Sequence, residues 1–479
     1  MNSEDLFPQL QSAYRSNHST ETALLKISSD ILTVIDQGKA VLLSLLDLSS
    51  AFDSVHHGIL LQRLEISFGI KGQVLSWLTS FLSERSYSVK CETSQSIPSP
   101  ARHGVPQGFV LGPLLFLIYT ADLPKIIESY GLSYHIYADD LQIFGSCHPS
   151  DSATLTSRMS SCISDVRKWL SSNHLLLNTS KTNIMWITSQ RRRHQAPNHP
   201  IVIDGTTISP ASKLRNLGVL IDPCLSMRPH ISDTTAKCFS ALRQLWSIRR
   251  CISEPVAKTL ATSVIHSRLD YCSTILYGLP DNSLSKFQRI LNATCRLVRN
   301  IRARDHVTPT LLSLEWLPIR DRINFRLAVI VFKCLHGLAP PYLNSYLQLS
   351  SSIESRRSLR SSSSSNLMLP SSHLKTVGAR AFPVAAARVW NSLPSSLKSI
   401  PSLSTFKSAL KAELLRSSFS YFFIFFSLSL SLSMCVCTLP LHVDLSATPC
   451  YGSHFLYLLA IVFRFLCKVP LKSSDKMSL

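Results

Sequence analysis

The chain has 479 residues, 45% of them hydrophobic, with a formal net charge of +20 and a pI of about 9.6. That length supports two or three domains with a sizeable core, and the excess of Lys and Arg favours a polyanionic partner, the bland alternative being a merely basic protein. The 13 cysteines are scattered without C-x-x-C or zinc-knuckle spacing, which argues against a disulfide framework or structural zinc and for reduced thiols; Met1-Asn-Ser-Glu-Asp5 gives no cleavable signal.

In chain order, Ser19 or Thr20 can cap a first helix with Glu21 in its first turn and Leu24, Ile27, Ile31 and Ile35 as its apolar stripe. Ala40-Val-Leu-Leu-Ser-Leu-Leu46 reads as a buried strand that delivers Asp47 at its C-terminal end. Asp53 is placed to cap the next helix, and His56 and His57 read as structural. Helices are expected over about 57–68 and 71–84, the second burying Val74, Trp77, Leu78, Phe81 and Leu82 as core. A strand through Tyr87-Ser-Val-Lys-Cys91 leads to Gly104-Val-Pro-Gln-Gly108, where small residues let backbone approach a ligand and Gln107 can hydrogen-bond one. Leu132-Ser-Tyr-His-Ile136 and Leu141-Gln-Ile-Phe144 form a hairpin around Tyr137-Ala-Asp-Asp140. Beyond it come a helix over about 151–173, strands at 175–177 and 184–187 flanking Lys181, a polar loop at Arg191-Arg-Arg-His194, a turn at Asp204-Gly205, and a strand from Leu214 to Asp222. From about 228 to 345 the pattern is helical, with apolar faces alternating with arginines.

A two-aspartate hairpin alone is usually only a turn, but adjacent carboxylates held at one tip call for a cation. A third acid, Asp47, ends a strand able to lie beside that hairpin, and three hard oxygen ligands with open positions suit Mg²⁺ shared with phosphates.

Four stretches occur in one order: Leu46-Asp-Leu-Ser-Ser-Ala-Phe-Asp53, Gly104-Val-Pro-Gln-Gly-Phe-Val-Leu-Gly-Pro-Leu-Leu-Phe116, Tyr137-Ala-Asp-Asp140 and Leu177-Asn-Thr-Ser-Lys-Thr182. In these the chain resembles the reverse transcriptases, and among them the non-LTR, LINE-type retrotransposon enzymes. The resemblance implies an α/β (α+β) fold: a right-hand polymerase palm with partial fingers, followed by an all-helical thumb. It implies RNA-directed DNA polymerase activity, with Asp47, Asp139 and Asp140 holding two Mg²⁺ ions, Mn²⁺ being the substitute, and Lys181 acting at the departing pyrophosphate. By the same resemblance Arg15 reaches the triphosphate, Phe52 packs under the sugar and excludes a 2′-hydroxyl, Gln107, Gly108 and Tyr137 line the nucleotide site, and Leu217 and Gly218 lie in the primer grip. The implied partners are an RNA template, a DNA primer and dNTPs, with no firm protein partner. Phe109 departs from the family pattern, which usually has Ser there.

The implied division is partial fingers at 1–40, palm at 41–222, thumb at 223–349, a Ser-rich linker and family tail at 350–416, and a hydrophobic low-complexity tail at 417–479. Further finger strands and an endonuclease domain would precede the match in a family member, so the chain reads as a fragment. The tail's alternating Ser-Leu run from 427 to 433 is what a repeated CT dinucleotide encodes, and it reads as translated flanking DNA more than as a membrane anchor. That leaves the nucleus or cytoplasm as the expected place. The competing functional reading is an inactive remnant that still binds nucleic acid.

Overall fold

The computed structural model describes residues 7–105, 108–197, 200–203, 205–350 and 365–419. Four antiparallel strands, β1 (Ala40–Leu46), β2 (Ser133–Tyr137), β3 (Asp140–Cys147) and β4 (Asn183–Ile187), form the central sheet in the order β4-β1-β3-β2. Pairs such as Leu45↔Gln142 and Leu45↔Asn183 fix the register, and β1 sits inside the sheet, which is why its run is apolar on both sides.

Alternation then sorts the side chains. Leu42, Leu46, Leu141, Ile143, Ile136, Ile184 and Trp186 point to one face, where they meet Met159, Cys162, Ile163, Val166 and Leu170. Those five lie on the long helix Ser152–Ser172, within a residue of its expected span. Helix α1 (Thr20–Asp36) packs on β1 and β2, with Leu24, Ile27, Ile31 and Ile35 all buried. Ser19 caps it by accepting from the Thr22 N–H at 3.2 Å, as its sequence suggests. Residues 10–13 add to the free edge of β2, with Gln11 bridging to Ile136.

Several expectations need correcting. Asp53 does not cap the next helix: residues 50–54 coil into a turn, and α2 (His57–Ile66) is capped by His56, whose Nδ1 accepts from the Ile59 N–H at 3.3 Å. On α3 (Gly72–Leu82) only Leu78 and Leu82 are buried, while Val74 and Trp77 are 58% and 57% exposed. The expected strand at 87–91 is two exposed two-residue ladders, Ser86–Tyr87 and Lys90–Cys91. The stretch from 214 to 222 is a hairpin, Leu214–Asn216 against Val219–Ile221, because Leu217 and Gly218 both take positive φ (42° and 83°), the geometry of a tight two-residue turn.

The second half is helical. The helix Arg228–Ser247 starts where Asp222 accepts N–H groups from Cys224, Ser226 and Met227, and it packs on Asp281–Arg299. Many of its arginines bind within the protein: Arg249 donates to the carbonyls of Leu297 and Val298, Arg299 pairs with Glu254, Arg322 with Asp270, and Arg326 with Glu21 of α1 at 2.5 Å. Residues 365–419 are integral to this body. Phe406 is buried and stacks on Phe332 at 4.4 Å, Trp390 is buried beside it, and Asp36 of α1 accepts the His373 and Leu374 N–H groups. Residues to Phe419 form one compact unit. Among the described residues no helix is long and apolar enough to cross a membrane; the apolar tail from 420 onward lies outside them.

Candidate active site

β1 delivers Asp47 just past its last residue, and β3 begins at Asp140, so the Leu46↔Leu141 register carries forward to set these carboxylates side by side. Tyr137 pairs with Asp140, leaving Ala138 and Asp139 as a two-residue turn. Ala138 holds φ 57°, a conformation costly for a residue with a Cβ. It is held there by Gln11, a buried side chain whose Oε1 accepts from the N–H groups of both Ala13 (2.9 Å) and Ala138 (3.3 Å).

Lys181 reaches the same place through a short ladder, Leu48↔Leu177 and Ser49↔Leu176, and through the Asn178 N–H donating to the Asp47 carbonyl at 2.9 Å. Its Nζ stands 3.2 Å from Asp47 Oδ2. That contact is an ion pair outside hydrogen-bonding geometry, and Oδ2, hidden from solvent, receives no hydrogen bond. Burial, then the charges of Asp139 and Asp47, push the Asp140 carboxyl up to about 6. Asp139 is also raised, mainly by burial and further by Asp47, with Lys181 opposing.

A cavity of about 390 Å³ adjoins these groups, lined by Asp47, Asp140, Gln142, Lys181, Arg215 and Asn216 among others. Gln142 shares a strand face with Asp140. Its Oε1 accepts from Asn216 Nδ2 at 2.7 Å, joining the sheet to the 214–221 hairpin, while its Nε2 is buried without a partner. The Tyr271 hydroxyl donates to the Leu217 carbonyl at 2.7 Å, and its ring lies 3.2 Å from where a Cβ on Gly218 would stand. Gln11, Gln142, Arg215 and Tyr271 were not singled out from sequence. Only Gln142 left a signal there, a polar residue in step with Asp140 along an apolar strand.

Phe52 stacks on Phe116 at 4.5 Å, and its carbonyl accepts from the Val105 N–H. Gly104 needs its φ of 89°, and a Cβ there would press on the Asp53 backbone at 3.1 Å. Gly108 has φ 86° with open space beside it, and Gln107 lies outside the described residues. Burial raises the Tyr137 hydroxyl. Arg15 is not brought to the cavity: its guanidinium donates to the carbonyls of Pro8 and Gln11. His57 Nε2 lies 2.8 Å from the Gly104 carbonyl, and His56 stacks on His174 and meets His103 edge-on, in keeping with structural roles.

The donor set suits a hard divalent cation, since an unbonded carboxylate oxygen and crowded like charges are what such an ion relieves. Among the described residues no three His, Cys, Asp or Glu side chains converge closely enough to form a complete metal cage. Mg²⁺ ordinarily takes one or two carboxylates and completes its shell with water and substrate phosphates, so an incomplete protein set fits it.

Residues 1–221 match the family model described as reverse transcriptase (RNA-dependent DNA polymerase). The chain is 29% identical over 258 residues to a probable RNA-directed DNA polymerase from transposon BS of Drosophila melanogaster, covering 52% of this chain and 28% of that protein. It is 28% identical over 332 residues to the corresponding protein of the X-element from the same fly (68% and 35%), and 27% identical over 231 to that of the mobile element jockey from Drosophila funebris (47% and 24%). It thus spans about a third or less of the length of these relatives, all polymerases of non-LTR transposons. Among solved structures, an apo telomerase from Candida tropicalis overlaps with a TM-score of 0.34 at 13% identity, covering 64% of this chain and 55% of that one. Reverse transcriptases as a family use divalent metal ions.

Proposed function

We propose that this chain is an RNA-directed DNA polymerase that extends a primer 3′-hydroxyl with dNTPs on an RNA template. The observation that carries the reading is the convergence of Asp47, Asp140 and Lys181 on one cavity of the reverse transcriptase domain, with Asp139 at the adjoining turn. Asp47, Asp139 and Asp140 would hold two Mg²⁺ ions, or Mn²⁺. Such ions activate the attacking hydroxyl and neutralise charge on the triphosphate.

The chain's own groups do the rest. Lys181 pairs with Asp47 before substrate binds and turns its ammonium to the leaving pyrophosphate, where it stabilises charge or donates a proton. Phe52, fixed by its stack on Phe116, limits space at the sugar. Arg15, Gln107, Gly108 and Tyr137 complete the nucleotide site, and Arg15 must exchange its carbonyl partners for phosphate oxygens. Leu217 and Gly218, at the hairpin turn, present backbone to the primer. We assign partial fingers to 1–40, palm to 41–222 and thumb to 223–349, the thumb laying its remaining basic side chains along a duplex. Nucleus or cytoplasm is the proposed location.

A second reading, an inactive remnant that binds nucleic acid, rests on Arg15, whose guanidinium is held by the Pro8 and Gln11 carbonyls away from the cavity. Asp139→Ala separates the two. A polymerase loses extension while its circular dichroism and duplex binding stay; a chain that binds RNA–DNA duplex but never extends is the remnant.

A further inference from the structure

The exposed face of α3 does not stand alone. Trp77 stacks on Phe81 with ring centroids 5.7 Å apart and planes 14° from parallel. Phe109, from the loop after Gly108, meets Phe81 edge-on at 5.9 Å. Arg85 lies over both Phe81 (4.4 Å) and Phe109 (5.5 Å), and its Nε donates to the Phe81 carbonyl at 2.6 Å, so the guanidinium is held as the fourth plane of the cluster. Trp77 and Phe109 nonetheless remain more than half exposed, with Val74 and Val110 bare beside them. Rings packed on one another yet left open to solvent form a patch that a lone chain gains nothing by exposing.

We infer that Trp77, Phe81, Phe109 and Arg85 form a stacking platform for the bases of a single-stranded nucleic acid. Charge favours that occupant: α3 carries no acidic residue, Lys71 and Arg85 flank it with Glu84 as the single acid between Leu82 and Arg85, and the whole chain is +20. Chemistry favours it too. Aromatic faces with an attached guanidinium accept any base, and each stacked base is worth about tenfold or more in affinity. Place agrees as well, for Phe109 lies four residues beyond Val105, whose N–H donates to the Phe52 carbonyl, so the platform is tied to the loop beside the proposed nucleotide site. The inference rests on the polymerase reading for its setting, because a template enters such a site unpaired.

The test is binding alone, so its outcome is independent of catalysis. Fluorescence anisotropy of the full chain is measured with a labelled 12-nucleotide oligo-U and with an abasic strand of equal length and charge. The parent should prefer oligo-U to the abasic strand by tenfold or more. Trp77→Ala and Phe109→Ser should each remove most of that preference while leaving abasic binding unchanged, and Trp77→Phe should restore it. Both altered side chains are half exposed, and unchanged circular dichroism checks the fold. Equal binding of the two strands by the parent, or an oligo-U preference that survives Trp77→Ala, overturns the platform and assigns the patch to a protein partner. Failed extension with the oligo-U preference intact refutes the polymerase reading and leaves the platform standing.

Discussion

Asp139→Asn should make the metal-free protein more stable while it destroys the proposed activity. In the folded chain Asp139 and Asp140 are both raised above ordinary carboxylates, by burial first; Asp47's charge adds to both, and Asp139's charge adds to Asp140, which is pushed up to about 6. A carboxyl whose folded pKa exceeds its unfolded value opposes folding once ionised, so its penalty grows as pH rises from about 4 through 6 and is complete at pH 7. Asp140 is crowded by its neighbours yet still opens to solvent, so screening cuts the penalty to about 1 kcal/mol. Removing the Asp139 charge relieves part of that repulsion, an expected gain of up to about 1 kcal/mol at pH 7 in chelator. Added Mg²⁺ should then stabilise the parent by mass action but not the variant. Urea unfolding with EDTA or Mg²⁺, at pH 5 and pH 7.5, reads all of this. A variant clearly less stable than the parent in EDTA, or one that Mg²⁺ stabilises equally, would refute the argument that these charges are crowded for want of a cation.

Lys181→Met should cost under about 1 kcal/mol, because its pair with Asp47 is partly exposed, yet slow extension by roughly 10²–10⁴-fold if the ammonium acts on the leaving group; rapid-quench single turnover measures the latter. Phe406→Ala should lose about 3–5 kcal/mol in chemical denaturation, since its ring is buried between Phe332 and Trp390, and a loss below 1 kcal/mol would mean that residues 365–419 are not part of the core. His135, His230 and His266 are buried and held below the usual imidazole range, to about 3, 4 and 4. The unfolded chain takes up their protons first, so stability should fall from pH 6.5 down to about 4, each contributing up to about 1.4 kcal/mol per pH unit; a flat urea midpoint across that window contradicts their burial.

The carboxylate centre was legible because strands write their faces in alternation. An apolar run closed by Asp47 and a hairpin around Asp139 and Asp140 predict their own geometry. Side-chain partners far apart in sequence were not legible: Gln142 with Asn216, Glu21 with Arg326 and Asp36 with the 373–374 backbone depend on how the whole chain closes. Periodicity placed Trp77, Phe81 and Leu78 on neighbouring positions of α3, but it says nothing about whether another element covers them, and for Trp77 none of the described elements does. The cap of α2 was misplaced for a local reason. Ser50 takes φ 46° and the turn it starts uses up Asp53, passing the cap to His56.

The most direct test of the central claim is primer extension by the full chain on an RNA template with dNTPs and Mg²⁺, run beside the Asp139→Ala/Asp140→Ala double variant. Template-directed incorporation by the parent and none by the variant is the predicted result. Duplex binding without incorporation by either, or equal incorporation by both, would contradict it.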